Sequence, residues 1–265
     1  MGRGNCCSCA ALFVIKLSVN VNKVATVRNS RGEDAPSVIE AVEACLSAGA
    51  PGITVHPRAD SRHIVPADVR EIAAVILKYK SRIDFNIEGD PRPDLLELVL
   101  EVLPDQCTLV PVRPGEVTSQ AGWLPTSASR VTVTRAIARL KSAGIRVSLF
   151  VDPDEKPIKW AADIGADRVE LYTEPYARAY KASTKAGLAS FNQYARAAIS
   201  ANTVGLGVNA GHDLNLENLT LFRQLPHLKE VSIGHALISR AIFVGLQQAV
   251  REYLEVINNE VLANT

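Results

Sequence analysis

The feature that leaves the fewest folds open to this chain is a rhythm. Short apolar, β-branched runs recur at 16–21, 52–55, 83–87, 107–110, 145–151, 168–171, 204–208 and 230–233, giving eight candidate strands. Between most of them lie stretches of helical period, at 37–47, 67–79, 93–102, 131–142, 189–200 and 216–225, and a last helix is expected over about 236–258. Strand starts are spaced by about 30 residues on average, the size of one strand–helix unit. Helix stops precede strand starts: Gly49 comes before the second run, Gly144 before the fifth and Gly165 before the sixth, where glycine past a helix end is the expected terminator. Eight alternating units of this kind predict an α/β fold, a (β/α)8 TIM barrel with extra helices. The expected organisation is one barrel domain over 15–260 after an N-terminal extension, 1–14, expected to be disordered. An open doubly wound sheet would call for a Gly-x-Gly-x-x-Gly turn after the first strand, and the sequence has none there.

Composition narrows the partners. The 265 residues are 47% hydrophobic, enough for one large core. A net charge of +1, from 29 basic and 28 acidic residues, argues against a nucleic-acid binder held by a general basic field but leaves room for a local anion pocket. Aromatic residues are 5%, too sparse for base-stacking platforms. No apolar run approaches the ~18 residues of a membrane span. The run 9–15 is cut by Lys16 and followed by no convincing small-x-small cleavage site, so it reads as a ragged start rather than a signal peptide. No nucleic-acid or membrane partner is therefore expected. Five cysteines, three of them crowded at Cys6, Cys7 and Cys9, argue against a disulfide framework and make a poor zinc site. A reduced, cytoplasmic protein is expected.

In a barrel, catalytic groups stand at the C-terminal ends of the strands. Asn20, Asn22 and Lys23 follow the first strand, with Arg28 and Arg31 beyond; His56, Arg58, Arg62 and His63 follow the second. Glu88 ends the third, Thr118 lies in the loop after the fourth, and Glu170 is near the end of the sixth. Gly211, His212 and Asp213 follow the seventh, and Gly234 and His235 the eighth. Taken singly, each has a bland reading: a loop histidine, a solvated carboxylate, surface arginines, a turn glycine. Four of the five histidines gathered at one rim, His227 excepted, are the functional signal. Glu88 follows an apolar run, where desolvation is expected to raise its pKa toward a useful acid/base value. The arginines and His63 on one side, and the glycines of the last two strands on the other, suggest two anion sites and hence one or two phosphorylated substrates. The long loop 112–130, carrying Thr118, is the expected lid.

Several stretches together resemble the pyridoxine 5′-phosphate synthase family, which closes the pyridine ring of vitamin B6. They are Val-Asn-Val-Asn-Lys-Val-Ala-Thr-Val-Arg-Asn-Ser-Arg-Gly at 19–32, Gly-Ile-Thr-Val-His-Pro-Arg at 52–58, Arg62-His63-Ile64, Asn86-Ile87-Glu88, Leu109-Val110-Pro111, Glu116-Val117-Thr118, Val147-Ser148-Leu149-Phe150, Val208-Asn209-Ala210-Gly211-His212 and Ile233-Gly234-His235-Ala236. The resemblance implies a barrel with added helices, usually assembled as a homo-octamer. It implies condensation of 3-amino-2-oxopropyl phosphate with 1-deoxy-D-xylulose 5-phosphate to pyridoxine 5′-phosphate, phosphate and water, with no metal or organic cofactor. By the same resemblance His56 and Glu88 are proton acceptors, His212 is a proton donor and Glu170 helps stabilise a transition state. Asn20, Arg31, Gly234 and His235 fall on positions that bind the aminoketone phosphate, and Arg58, His63 and Thr118 on positions that bind the deoxyxylulose phosphate. The chain departs from the usual pattern at substrate positions: Asn22-Lys23 stands where Asp-His is common, and Asp213 where glycine is common. The loop at Thr118 reads Thr-Ser-Gln-Ala-Gly instead of the common Thr-Thr-Glu-Gly-Gly type.

Three other readings compete. One is a Schiff-base aldolase or lyase acting on a sugar phosphate through Lys23. A second is a metal-dependent sugar-phosphate isomerase or epimerase using His56, Glu88 and His212. A third is a non-catalytic homologue that only binds phosphorylated metabolites.

Overall fold

The computed structural model describes residues 15–79, 82–112 and 119–259. The expected extension 1–14 and Thr118 lie outside the described residues. Eight parallel strands, β1 (Lys16–Asn20), β2 (Gly52–Val55), β3 (Asp84–Gly89), β4 (Gln106–Leu109), β5 (Arg146–Val151), β6 (Arg168–Tyr172), β7 (Gly207–Gly211) and β8 (Leu228–Ile233), pair in sequence order, and β8 closes on β1. The barrel read from the sequence is the barrel observed.

Eleven helices surround it among the described residues: α1 (Asn22–Asn29), α2 (Val38–Ser47), α3 (Pro66–Leu77), α4 (Pro93–Val102), α5 (Ser127–Ser142), α6 (Glu155–Asp163), α7 (Glu174–Ala182), α8 (Thr184–Thr203), α9 (Leu219–Phe222), α10 (His235–Val244) and α11 (Leu246–Asn258). Local chemistry accounts for their starts. Ser37 caps α2 by accepting the Glu40 N–H, and Thr126 caps α5 by accepting that of Ser129. Pro66 and Pro93 open α3 and α4 where a missing N–H costs nothing.

Three helices escape the periodicity reading. In α1 and α7 the buried apolar content is sparse, Val24 and Ala25 in the first and Tyr176 in the second; α6 buries Ile158, Trp160 and Ala161 but is short and carries Pro157 in its first turn. Two boundaries also differ. The expected strand 204–208 begins at Gly207, because α8 runs on to Thr203 and Gly205, at φ +83°, makes the turn. The expected single helix 236–258 is two, α10 and α11, broken at Gly245, whose φ of +83° no other residue type adopts readily.

The strands alternate in an unusual sense. Leu17, Val19, Ile53, Val55, Ile87, Cys107, Leu109, Val147, Leu149, Val169, Val208 and Val231 pack with the surrounding helices in the main core. The alternate positions fill the lumen and are polar. Ser18 meets Thr54 at 2.6 Å, Asn86 Nδ2 donates to Thr54 Oγ1 at 3.3 Å, and Thr108 Oγ1 donates to Asn86 Oδ1 at 3.0 Å. Gln106 of β4 reaches Glu230 of β8 at 3.5 Å, directly across the barrel. Barrel interiors are ordinarily filled by bulky apolar side chains; here a hydrogen-bonded lumen takes their place, and most of its buried polar groups satisfy one another, Ser148 Oγ being an exception.

Candidate active site

The C-terminal mouth of the barrel holds a cavity of about 420 Å³. Asn20, Asn22, Lys23, His56, Arg58, His63, Glu88, Glu170, His212, Asp213, Gly234 and His235 all line it. All eight strand ends are represented among its lining residues. Of the other predicted residues, Arg31 sits in the exposed turn after α1, away from the cavity, and Thr118 lies outside the described residues. Arg28 also has another task. Its guanidinium makes a two-point ion pair with Asp68, Nη1 to Oδ1 at 2.5 Å and Nη2 to Oδ2 at 2.9 Å, so the anion it meets is the protein's own.

The departures from the usual pattern have local explanations. Asn20 Oδ1 accepts the Asn22 N–H at 3.0 Å, and Asn22 Oδ1 accepts the His56 N–H at 2.9 Å. Asn22 thus ties the start of α1 to the end of β2 and fixes the backbone of His56. Lys23 brings a positive charge to the same wall, opposing protonation of both His63 and His212. His212 and Asp213 both have left-handed backbone, φ +81° and +58°. Thr173 pins this turn: its hydroxyl donates to the carbonyl oxygens of Gly211, at 2.6 Å, and His212. Aspartate adopts that conformation more readily than most side chains, which explains how it replaces glycine at 213.

The titrating groups are shifted toward their neutral forms. Burial pushes His56 well below the usual imidazole range, with the charges of His63, Arg58, Arg92 and His212 adding. Burial and the Arg58 and Lys23 charges lower His63 to about 4. Burial lowers His212 to about 4 as well, with Asp213 opposing and Lys23 adding. Burial raises Glu88 to about 8, against a hydrogen bond from Ser232, and raises Glu170 well above the carboxylate range. The His56–Glu88 contact, 3.7 Å from Nδ1 to Oε2, therefore joins two neutral groups at pH 7 despite its ion-pair distance.

Three buried polar atoms with no hydrogen-bond partner belong to residues of this one cavity: His56 Nε2, His63 Nδ1 and Glu170 Oε2. Such atoms are rare in folded proteins, and a cluster of them marks a place kept for a ligand. Among the described residues, no group of three His, Cys, Asp or Glu side chains is arranged to hold a metal ion, so His56, Glu88 and His212 do not form a ligand set.

Sequence reasoning missed Phe150, Ser119, Ser232, Val110 and Thr26 in the lining. Phe150 packs against the His212 ring at 5.0 Å between centroids, and Tyr172 stands edge-on to it at 5.4 Å. The signal for Phe150 and Ser232 was available in the period-2 alternation, because Ser148-x-Phe150 and Glu230-x-Ser232 run up the inward face of their strands. In the loop between β4 and α5, residues 113–118 lie outside the described residues. Its second half is fastened to β5 and β4: Trp123 N donates to the Phe150 carbonyl at 3.0 Å and Trp123 Nε1 to the Leu109 carbonyl at 2.9 Å.

A pyridoxine 5′-phosphate synthase of Bacteroides thetaiotaomicron is 50% identical over 239 residues, covering 90% of this chain and 97% of that protein. One of Leptospira biflexa is 47% identical over 252 residues, covering 92% and 97%. A solved 4-hydroxy-2-oxoglutarate aldolase superposes with a TM-score of 0.57 at 15% identity, over 91% of this chain and 93% of that one, a likeness of fold alone. Residues 17–259 match the family described as pyridoxal phosphate biosynthesis protein PdxJ, and the chain, with its closed barrel and the cavity at its mouth, belongs to that family.

Proposed function

We propose that the chain is a pyridoxine 5′-phosphate synthase, condensing 3-amino-2-oxopropyl phosphate with 1-deoxy-D-xylulose 5-phosphate to pyridoxine 5′-phosphate, phosphate and water. The observation that carries this reading is the convergence of His56, Glu88, Glu170 and His212 on one cavity, with three orphaned polar atoms among its residues, in a chain of this family. Joining an amine to a ketone and closing an aromatic ring requires carbinolamine formation, loss of water, enamine formation, loss of phosphate and cyclisation. Each step moves a proton, so several acid/base groups around one space are needed.

In this reading neutral His56 accepts the first proton through its unpartnered Nε2. Glu88, at about 8, carries a proton at neutral pH and becomes an acceptor only after giving it up. His212, lowered to about 4 by burial, serves as donor once substrate phosphate brings negative charge beside it and draws its pKa back up. Glu170 offers its free Oε2 to the charge that develops on the condensing atoms. Asn20, Gly234 and His235 are the proposed contacts of the aminoketone phosphate, with the open N-terminus of α10 behind Gly234. Arg58 and His63 are the proposed contacts of the deoxyxylulose phosphate, and Asn22, Lys23 and Asp213 line the same cavity as further proposed substrate contacts. Arg31 belongs to this proposal by resemblance only, since it stands outside the cavity of its own chain.

Among the described residues, no helix is long and apolar enough to cross a membrane. A cytoplasmic homo-oligomer, an octamer, is the proposed state; the exposed apolar pair Ile242 and Phe243 on α10 supports a further protein contact. Light scattering tests the assembly. Incubating the purified chain with both substrates and a chelator tests the reaction: pyridoxine 5′-phosphate and free phosphate are expected in equal amounts. Failure to form either, with or without added metal, rejects it.

A further inference from the structure

The lumen holds a third buried glutamate that the proposed reaction leaves unused. Glu230, on β8, is 2% exposed and stands one inward position below Ser232 of the cavity lining. Its Oε1 accepts from Asn209 Nδ2 at 3.3 Å and from Gln106 Nε2 at 3.5 Å, and its Oε2 is 3.7 Å from Arg168 Nη1. The clamp is itself clamped. Arg168 Nη1 donates to Asn209 Oδ1 at 3.1 Å, and Arg146 Nε to Gln106 Oε1 at 2.9 Å. Side chains from β4, β5, β6 and β7 thus fix one carboxylate on β8. A buried ion-pair network of this kind is a poor way to add stability, because desolvating the charges offsets most of their attraction.

We propose that Glu230, held by Arg168, Asn209 and Gln106, is a positioning residue of this site that acts on Glu88 and Glu170 across the lumen and touches no substrate. The link to turnover rests on the synthase reading; the electrostatic part does not. Three carboxyls share one polar lumen, and Glu230 is the member with a guanidinium within 4 Å. Burial raises its pKa above the ordinary carboxylate range as well, but the guanidinium opposes that rise, so it gives up its proton before the other two. The groups facing Glu230 are Arg168, Arg146 and Lys16, which favour its charge, and Asp84, Glu88 and Glu170, which oppose it. Those facing Glu170 are Glu88 and Glu230, which disfavour its ionisation, and Thr108, which favours it by a hydrogen bond. Those facing Glu88 are His56, Ser232, Cys107, Glu170 and Glu230.

The test titrates ¹³C-labelled glutamate carboxyls in the full chain, in the wild type, Glu230→Gln and Glu230→Asp, beside the pH profile of kcat/KM. In the wild type, Glu230 is expected to ionise at lower pH than both Glu88 and Glu170. In Glu230→Gln, the Glu88 and Glu170 midpoints and the alkaline limb of kcat/KM are expected to move down by roughly half to one pH unit. Glu230→Asp, which keeps the charge, is expected to restore them. A structural role alone would lower kcat or the melting temperature and leave the midpoints in place, and that result overturns the inference. If Glu230→Gln does not fold, the wild-type titration decides: a Glu230 still protonated at pH 7 also overturns it. A wild type that makes no pyridoxine 5′-phosphate sinks the functional reading instead, while the carboxyl midpoints still judge this one.

Discussion

His56 Nδ1 stands 3.7 Å from Glu88 Oε2, and the two buried side chains meet as neutral partners. Burial removes the charge from each: it lowers the imidazole well below its ordinary range and raises the carboxyl to about 8. Near neutral pH this leaves an empty base beside a loaded acid, an arrangement suited to repeated proton transfer and costly to keep in a protein with no such use for it.

His56→Ala and Glu88→Gln are each expected to lower kcat by about 10²-fold, the usual scale for losing a positioned acid/base group. Single-turnover assays with saturating substrates read the effect on chemistry apart from binding. A variant that turns over at the wild-type rate removes that residue from the catalytic set.

The same burial ties stability to pH with a definite sign. Between the ordinary carboxyl pKa of 4.5 and about 8, folded Glu88 holds a proton that the unfolded chain has lost, so its contribution to stability falls as pH rises through that window. Glu88→Gln removes the penalty and is expected to melt higher than the wild type at pH 8.5, with the difference closing near pH 5. His63 and His212, at about 4, act in the opposite sense: stability falls as pH drops from 6.5 toward 4. Melting curves across pH 4–9 separate the two. A Glu88→Gln advantage that stayed constant with pH would contradict the raised carboxyl.

Lys23 separates the synthase from its Schiff-base rival. Its charge faces His63 and His212 from the cavity wall. As a cation it is replaceable by arginine; as an imine-forming nucleophile it is not. Lys23→Arg is expected to retain kcat within about tenfold, and Lys23→Met to raise KM for the phosphorylated substrates while moving the His63 and His212 pKa values up. Borohydride treatment with either substrate should leave Lys23 unmodified in a peptide mass map. A trapped adduct on Lys23 would favour the aldolase.

The barrel was legible in the sequence because its outward face is apolar and β-branched and its helices stop at glycine. Leu17, Val19, Ile53, Val55, Val147 and Leu149 announce strands whichever face they cover, and Gly49, Gly144 and Gly165 mark the turns before them. The lumen was harder to read. Asn86, Gln106, Ser148 and Asn209 look like surface positions of half-exposed strands, and only closure of the barrel buries them. The site was legible where its residues follow strand ends directly, as with His56, Glu88 and His212. It misled where side-chain pairing decides: Arg28 lies one turn past Asn22-Lys23, and nothing in its own neighbourhood of sequence reveals that Asp68, 40 residues on, takes its charge.

Gly211 sets the position of Glu170. A Cβ at Gly211 would lie 2.3 Å from Glu170 Oε1 and 3.4 Å from the Ser232 carbonyl oxygen. The carboxyl is buried, with β5 paired on one side of Glu170 at Phe150 and β7 on the other at Asn209, so it can yield only by swinging toward the cavity or by pushing β7 outward. Gly211→Ala is therefore expected to displace the free Oε2 from its place and to lower kcat by about 10- to 10²-fold, with KM changing less. Because the damage passes through Glu170, the double variant Gly211→Ala/Glu170→Gln should be no slower than Glu170→Gln alone, a non-additivity that independent lesions would not give. A Gly211→Ala protein with wild-type kcat, beside an impaired Glu170→Gln, would mean that the position of this carboxyl is not what the reaction depends on.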